Sequence, residues 1–421
     1  MYVSLLDENK NPLGLIHPAL CRLLLKEKKA KPVFKLCIRH KVFIVKLLDN
    51  TYKPKDNLIY TPELTLGVDP GSGKVGFAVT TERGEVLYAS QVELRNDITT
   101  KMKRRASYRR TRRNRKTKYR KPRFLNRASS RKTDKLPPTV TSKLHAHKRE
   151  IEYILSIFNI SRIVVEKAKF DTHSISKERT LKAWEYQKGE MYGFETVKAY
   201  VRERDQYKCQ VCKKKDIRLE VHHVLERING GTNRSDNLIT LCVDCHKGVH
   251  SGEIVLNKRK VKSNTLHSTQ TDVIVSQLRK WLKGLKLPKT YIFGVRTNLV
   301  RRKLGLPKKH VCDAVAISCV KHQDVLVQKD CRVVKKKCVA KGDYQLHKGK
   351  RSEKEIPTGK LLGFRKFDKV LYQGKEYFVK GKRSTGYFEL MDIEGNTIHF
   401  DHTVKVENLK RLEARKSWLV A

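Results

Sequence analysis

Four of the ten cysteines fall in two C-x-x-C pairs, Cys209/Cys212 and Cys242/Cys245, and histidines are interleaved with them: His222-His223, then His246 and His250. Two such thiol pairs can close a tetrahedral structural zinc site and brace a segment too small to own a core. Adjacent residues on a strand point to opposite faces, so His222 and His223 cannot easily ligate one ion together. One can hold a metal while the other faces a substrate. His246 and His250, at i and i+4, share a helical face that suits a shared metal. A site made of one strand histidine and one or two helix histidines leaves coordination positions open for phosphate oxygens and water. The free imidazole, which titrates near working pH, would then serve as general base. The plainer alternative is a zinc-ribbon binding module with incidental histidines, although a plain ribbon needs no His-His pair.

A second set of candidates is spread along the chain. GVDPGSGKVG (67–76) puts Asp69 at the end of a strand before a glycine-rich turn. IVVEKAKF (163–170) puts Glu166 at the end of an apolar strand, and HVCDAVAIS (310–318) puts Asp313 at the start of an apolar helix with His310 just before it. Singly, each has a bland reading as a turn cap, a strand-end charge or a helix cap. Together, three acids on the ends of buried elements can converge on two Mg²⁺ ions about 4 Å apart, which activate water and stabilise the leaving oxygen in phosphodiester cleavage. His310 could orient the nucleophile or the scissile phosphate.

The elements that must position these groups are legible as patterns. Leu64–Asp69, Val75–Thr80 and Val86–Glu93 read as a meander. A helix is expected over Thr141–Phe158, a buried strand over Ile163–Glu166, a helix over Asp272–Leu285, a strand over Tyr291–Val295 and a helix over Asp313–Val320. Residues 1–48 read as a small α/β unit with a strand at Val3–Leu6, a helix at Pro18–Lys29 and strand again at Val33–Leu48. Residues 49–63 and 253–275 read as linkers, and 321–357 as lysine-rich and irregular. Leu361–Leu412 carries short strands and turn signals in a small β-barrel pattern.

Charge narrows the partners. Lys and Arg total 93 against 43 Asp and Glu, a net charge of +50 over 421 residues. Self-repulsion on that scale calls for a polyanion, and nucleic acid is the natural one. No apolar run reaches the roughly 18 residues of a membrane span, and MYVSLLDENK is not a signal peptide. Paired cysteines in such a chain read as metal ligands, which points to the cytoplasm. Between Lys101 and Arg123, 14 of 23 residues are basic and none is acidic. Arg104, Arg105, Arg109, Arg112, Arg113, Lys116 and Arg120 surround a helix with no apolar stripe to bury, so it should order only against a polyanion. A disordered basic tail is the plainer alternative, and its position between the carboxylate segments argues against that.

The segment from about Tyr207 to His250, with GGTNRSDNL at 230–238, resembles the HNH nuclease family and its ββα-metal fold. The resemblance implies His223 as the general base that activates water. It makes His222 and His246 ligands of one Mg²⁺, with His250 available as a third. Asn237 becomes the central Asn that orients the loop and the base. The order and context of Asp69, Glu166, His310 and Asp313 resemble the three segments of a split RuvC nuclease of the RNase H fold, which implies that these four are its catalytic set.

The order of RuvC segment, Arg-rich bridge helix, second segment, HNH and third segment resembles the transposon-encoded IscB nucleases, compact relatives of the type II CRISPR effectors. The PLGLIHP run (12–18) resembles part of the signature of their small N-terminal domain, and the C-terminal β module resembles the domain that reads a short motif beside the target. Some relatives lack one or more of the four zinc cysteines, which sets the zinc apart from the cutting chemistry.

The resemblance implies an α/β multidomain chain: an RNase H-like mixed sheet split in three, an inserted ββα-metal HNH domain, an Arg-rich bridge helix and a small C-terminal β-barrel. The expected divisions are 1–55, an N-terminal α/β domain; 56–95, RuvC segment I; 96–130, the bridge; 131–195, segment II; 196–255, HNH; 256–325, segment III; and 326–421, the C-terminal domain. Only 42 residues separate Arg123 from Glu166, so no large recognition lobe fits. A heteroduplex of about 20 bp is longer than so small a protein can enclose. The guide RNA should therefore be large and structured, carrying a monomeric protein in a prokaryotic cytoplasmic ribonucleoprotein. The implied activity is RNA-guided double-strand cleavage of DNA, HNH cutting the guide-paired strand and RuvC the displaced strand. The rivals are a protein-guided HNH homing or restriction-type endonuclease and a non-catalytic RNA-binding protein.

Overall fold

A computed structural model describes residues 2–33, 43–48, 58–116, 135–167, 170–171, 174, 180–187, 189–226, 231, 233–256, 265–320, 333–340, 362–383 and 385–421. The chain divides into two compact units, one formed by 1–169 with 270–421 and the other by 170–269.

The first unit opens with β1 (Val3–Leu6), β2 (Pro12–Ile16), α1 (Pro18–Lys26), β3 (Ala30–Pro32) and β4 (Ile44–Leu47), a sheet in the order β2-β1-β4-β3. Leu5, Ile16, Leu24, Val45 and Leu47 are buried together between sheet and helix. Sequence reading missed β2: its Pro and Gly suggest a turn, yet Val3 pairs with Ile16 and Ser4 with Leu15 in a hairpin. Pro18 starts α1, where its missing N–H costs nothing, and the His17 ring accepts from the Ala19 N–H.

The meander follows as β5 (Leu64–Asp69), β6 (Lys74–Thr80) and β7 (Val86–Glu93), then α2 (Ile98–Lys116), α3 (Pro138–Leu155) and β8 (Ile160–Glu166). The second unit's elements, α4 (Ala183–Gln187), α5 (Val197–Arg204), β9 (Leu219–His223), β10 (Leu238–Cys242) and α6 (Val243–Ser251), come next in the chain. The first unit resumes at residue 270, inside α7 (Leu266–Lys283), and continues with β11 (Lys289–Ile292), α8 (Gly294–Lys303), α9 (His310–Ser318) and β12 (Val333–Cys338). Its C-terminal part holds β13 (Lys369–Tyr372), β14 (Lys375–Lys382), β15 (Tyr387–Met391), β16 (Thr397–Ile398), β17 (Val404–Lys405), β18 (Lys410–Glu413) and β19 (Trp418–Val420).

The main sheet has seven strands in the order β11-β8-β5-β6-β7-β12-β19. β11, β8 and β5 run parallel, β6 is antiparallel to both β5 and β7, β12 is parallel to β7 and β19 antiparallel to β12. One core buries Leu66, Val68, Phe77 and Ile163 with Leu144, Ile151 and Ile154 of α3 and Leu278 and Leu282 of α7. Another packs Ala78 against Ala314, Val315 and Cys319 of α9 and its turn.

The expected boundary at 326 does not hold as a division of sheets. Val333–Cys338, inside a segment expected to be irregular, and Trp418–Val420 are both strands of the main sheet. The lysines at 335–337 hid a strand because they find partners. Lys336 Nζ sits 2.8 and 2.9 Å from the two oxygens of buried Glu150, which also accepts from the Tyr88 and Ser90 hydroxyls. Its cationic head is flanked by the rings of Tyr153, Tyr88 and Trp418. The expected C-terminal barrel is an open six-stranded antiparallel sheet, ordered β16-β15-β14-β13-β18 with β17 on β15, and among the described residues no pairing joins its end strands. Helix α7 begins at Leu266, inside the stretch expected to be linker. No described helix is long and apolar enough to cross a membrane.

Candidate active sites

The carboxylate site is made by register. Val68 of β5 lies beside Val165 of β8 in a parallel pair, so Asp69 and Glu166 emerge side by side at the C-terminal edge of the sheet. Ile292, the last residue of β11, pairs with Glu166. Two glycines let α9 lie directly on the strands. A Cβ on Gly67 would stand 2.2 Å from the Ala314 carbonyl oxygen, and one on Gly76 2.0 Å from that of His310. The first turn of α9 is thereby delivered to Asp69, with His310 Nδ1 2.6 Å from Asp69 Oδ2. Since a carboxylate only accepts, Nδ1–H donates and Nε2 is the ring's other functional nitrogen. Arg301 of α8 reaches Asp313, with Nε 2.8 Å from Oδ1.

The electrostatics are those of crowded acids. Burial raises the pKa of Glu166; the Thr297 hydroxyl opposes this, and the fields of Asp69 and Asp313 add to it. Burial also raises Asp313, reinforced by Asp69 and opposed by Arg301 and His310. The Asp69 hydrogen bond raises His310 against the cost of its burial. Burial and the nearby charge of Asp69 hinder ionisation of Glu166 and Asp313, a strain that divalent cations relieve, and carboxylate oxygens are what hard ions such as Mg²⁺ prefer.

The second unit carries the other site. β9 and β10 form an antiparallel hairpin with His222 opposite Ile239 and His223 opposite Leu238. Arg204 of α5 donates to the Ser235 and Leu238 carbonyls, and Asp205 accepts from the Thr240 N–H, which fixes the hairpin to α5. The donor atoms of His222, His246 and His250 lie within 4.8 Å of one another, and so do those of Cys209, Cys212, Cys242 and Cys245. Among the described residues these are the two groups so gathered; the three acids are more widely spread. The Nε2 atoms of His246 and His250 face each other at 3.2 Å. Burial, then the neighbouring imidazoles, lowers the pKa of His222 and keeps it neutral, as a ligand must be.

Four thiols fit zinc. Burial works against ionisation of Cys209, yet backbone N–H groups draw its pKa down to about 6. The three imidazoles fit a divalent ion with open positions, although nitrogen donors suit transition ions better than Mg²⁺.

His223 points away from the imidazole cluster and its Nε2 lies 2.9 Å from Asn233 Oδ1. Asn237 is fully buried: it accepts from the Leu225 N–H and donates to the Leu225 carbonyl, clamping the chain just past His223. Sequence reading missed Asn233, Arg301 and Glu220. Glu220 Oε2 lies 2.6 Å from His246 Nδ1, the carboxylate partner that orients a ligating imidazole. Its signal was available, since 220 and 222 share one face of a strand. Arg301 was hidden in a run of basic residues.

Of the basic candidates, Arg104, Arg105 and Arg109 are exposed on α2, Arg112, Arg113 and Lys116 belong to the same helix, and Arg120 lies outside the described residues. Asp97 leads the helix in. Burial raises its pKa, but hydrogen bonds from Arg95 and Lys101 hold it below the usual carboxylate range.

Comparison with known proteins matches residues 3–189 to the RRXRR protein family and residues 209–252 to the HNH endonuclease family. Arg109-Arg110-Thr111-Arg112-Arg113 on α2 spells the first family's pattern. Anaredoxin from Nostoc sp. PCC 7120 is 32% identical over 57 residues, 14% of this chain and 75% of that protein. The uncharacterized protein YisB of Bacillus subtilis is 26% identical over 96 residues, 23% of this chain and 90% of that one. Among solved structures, T. thermophilus RuvC in complex with a Holliday junction substrate aligns with a TM-score of 0.25 and 10% identity, over 61% of this chain and 91% of that one. Streptococcus thermophilus Cas9 with an AGAA PAM aligns with a TM-score of 0.33 and 13% identity, over 58% of this chain and 32% of that one. Carrying an RRXRR segment and an HNH endonuclease segment in one chain, the protein is an IscB-like nuclease that acts on DNA.

Proposed function

We propose that this nuclease is guided by RNA and makes double-strand breaks, with the histidine site cutting the guide-paired strand and the carboxylate site the displaced strand. The observation that carries the reading is the coexistence of an acid cluster and an imidazole cluster with a helix whose described arginines are exposed. A protein that reads DNA by itself would need neither the second cutting site nor a cationic helix lacking an apolar face. The non-catalytic reading leaves the Asp69–His310 contact and the gathered imidazoles without a task.

At the histidine site, His223 is the general base that takes a proton from water, held by Asn233 and kept at its post by the Asn237 clamp. His222, His246 and His250 would hold one divalent ion, with Glu220 orienting His246. At the carboxylate site, Asp69, Glu166 and Asp313 would hold two, with His310 fixed by Asp69 and its Nε2 available to water or phosphate. Bound divalent ions supply charge neutralisation of the phosphate and a lowered pKa for the attacking water. The cysteine set would hold zinc as a brace. Exposed Arg104, Arg105 and Arg109 would neutralise RNA phosphates.

The test is to purify the protein from cells carrying its native locus and to sequence the RNA that accompanies it. One dominant long RNA with a variable end, and cleavage programmed by that end, is the expected result. Heterogeneous RNA together with DNA cutting that survives RNase treatment would overturn RNA guidance.

A further inference from the structure

The carboxylate site is bordered by an apolar face that nothing in its own unit covers. Phe293, Val295 and Leu299 are 60, 74 and 62% exposed, the three most exposed large apolar side chains among the described residues of that unit. Val295 and Leu299 lie one turn apart on α8, and Phe293 is the residue that caps it. The opposite face of α8 does pack: Thr297 is buried, and Val300 and Leu304 lie against the core of α9. The exposed face is therefore surplus to folding.

Two details tie this face to the chemistry. The Lys167 N–H donates to the Ile292 carbonyl, which sets Phe293 beside Glu166, and a Cβ on Gly294 would lie 3.1 Å from Glu166 Oε1. Phe293 also occupies a helix cap, where an Asp, Asn, Ser or Thr would supply a hydrogen bond, and it supplies none. A residue that gives up local stability at the mouth of a site is a candidate for function.

We propose that Phe293, flanked by Val295 and Leu299, is a stacking platform for unpaired bases of the DNA strand held at the Asp69–Glu166–Asp313 site. The charge around it favours nucleic acid over a protein segment. Lys167 Nζ lies 5.4 Å from the Phe293 ring centre, α8 contains Arg296, Arg301, Arg302 and Lys303, and it has no acidic residue. Aromatic faces beside cations are how single strands are gripped without regard to sequence, whereas a duplex keeps its base faces stacked and offers none. This rests on the reading that the carboxylate site cuts the displaced, unpaired strand, and it makes that strand's bases as well as its phosphates part of the recognition.

The test uses the full chain and a short single-stranded DNA carrying 5-iodouracil, irradiated in the presence of excess duplex. An adduct on Phe293, lost in Phe293→Ala, is expected. Adducts confined to α2 or to 170–269 would overturn the platform. In guide-loaded His223→Ala protein, Phe293→Ala should slow the remaining nick about 5- to 150-fold at limiting DNA, and Phe293→Tyr should restore it. If Asp69→Asn leaves that nick untouched, the strand assignment fails. The crosslink, which needs no cutting, still decides the platform.

Discussion

Asp69 and Glu166 end neighbouring parallel strands in the register set by Val68 pairing with Val165, near enough for the charge of Asp69 to act on Glu166. They are 97 residues apart in sequence, and no local pattern joins them. The hydrogen-bonding register does. It follows that Asp69→Asn and Glu166→Gln should each remove cutting at this site by at least about 100-fold while the histidine site goes on nicking the other strand. Strand-specific labelling of a plasmid-length substrate checks this. A double-strand break that persists unchanged in either variant would count against the carboxylate assignment.

Gly67 carries no chemistry, yet the site depends on it. A methyl there would sit 2.2 Å from the Ala314 carbonyl oxygen, so Gly67→Ala must push α9 off the sheet. The expected cost is about 1–3 kcal/mol in chemical denaturation, by analogy with overpacked cores. Because His310 and Asp313 ride on α9, displaced-strand cutting should fall more than this instability explains, with paired-strand cutting retained. Equal loss at both sites would mean that Gly67→Ala only unfolds the chain.

Much of this was legible in sequence, and what escaped was what register and long-range pairing decide. The meander over 64–93 and the buried strand ending at Glu166 follow from alternation and β-branched runs, which are local properties. The Cys and His spacing pointed to two groups that the structure gathers, because their residues lie on one short hairpin, the helix after it and the turn before it. By contrast, β12 reads as polar, VVKKKC, and becomes a strand only because Glu150, some 186 residues earlier, receives Lys336. Glu220 and Asn233 were visible as residues, but their partners His246 and His223 are defined only when the hairpin closes. Phe293 was expected in the middle of a strand over Tyr291–Val295, but the strand ends at Ile292 and Phe293 caps the helix that follows, exposed at the surface.

The Glu220–His246 contact should matter to metal affinity in particular. Glu220→Gln keeps the size of the side chain while removing the charge that holds Nδ1–H in place. Loss of such a partner typically weakens metal binding by about 10- to 100-fold. Titrating Mn²⁺ or Mg²⁺ against paired-strand cutting should therefore shift the half-saturating concentration upward with little change in the maximum rate. A fall in maximum rate at unchanged metal dependence would assign Glu220 to some other task.

Lys336 and Glu150 form an ion pair with no solvent exposure, and such pairs are costly to break and cheap to replace. Lys336→Met alone leaves a buried carboxylate whose cation is gone, with only the Tyr88 and Ser90 hydroxyls beside it, and should destabilise the first unit by about 3–5 kcal/mol. Adding Glu150→Leu should recover most of that loss. Strictly additive losses in the double variant would show that the pair is not coupled.

Buried His147 should make the stability of the fold sensitive to acid. Its ring is fully buried in α3, Nδ1–H donates to the Lys143 carbonyl at 2.8 Å, and burial, assisted by the field of Lys143, lowers its pKa to about 4. The folded pKa therefore lies below that of the unfolded chain, near 6.5, so the unfolded chain takes the proton first. The stabilisation is complete above pH 6.5 and drains away as pH falls toward 4, by about 3 kcal/mol in all. His147→Leu should flatten that slope between pH 6.5 and 4 in chemical denaturation curves, even though it forfeits the hydrogen bond to Lys143. If the slope in this window survives the substitution, the acid sensitivity belongs to other groups.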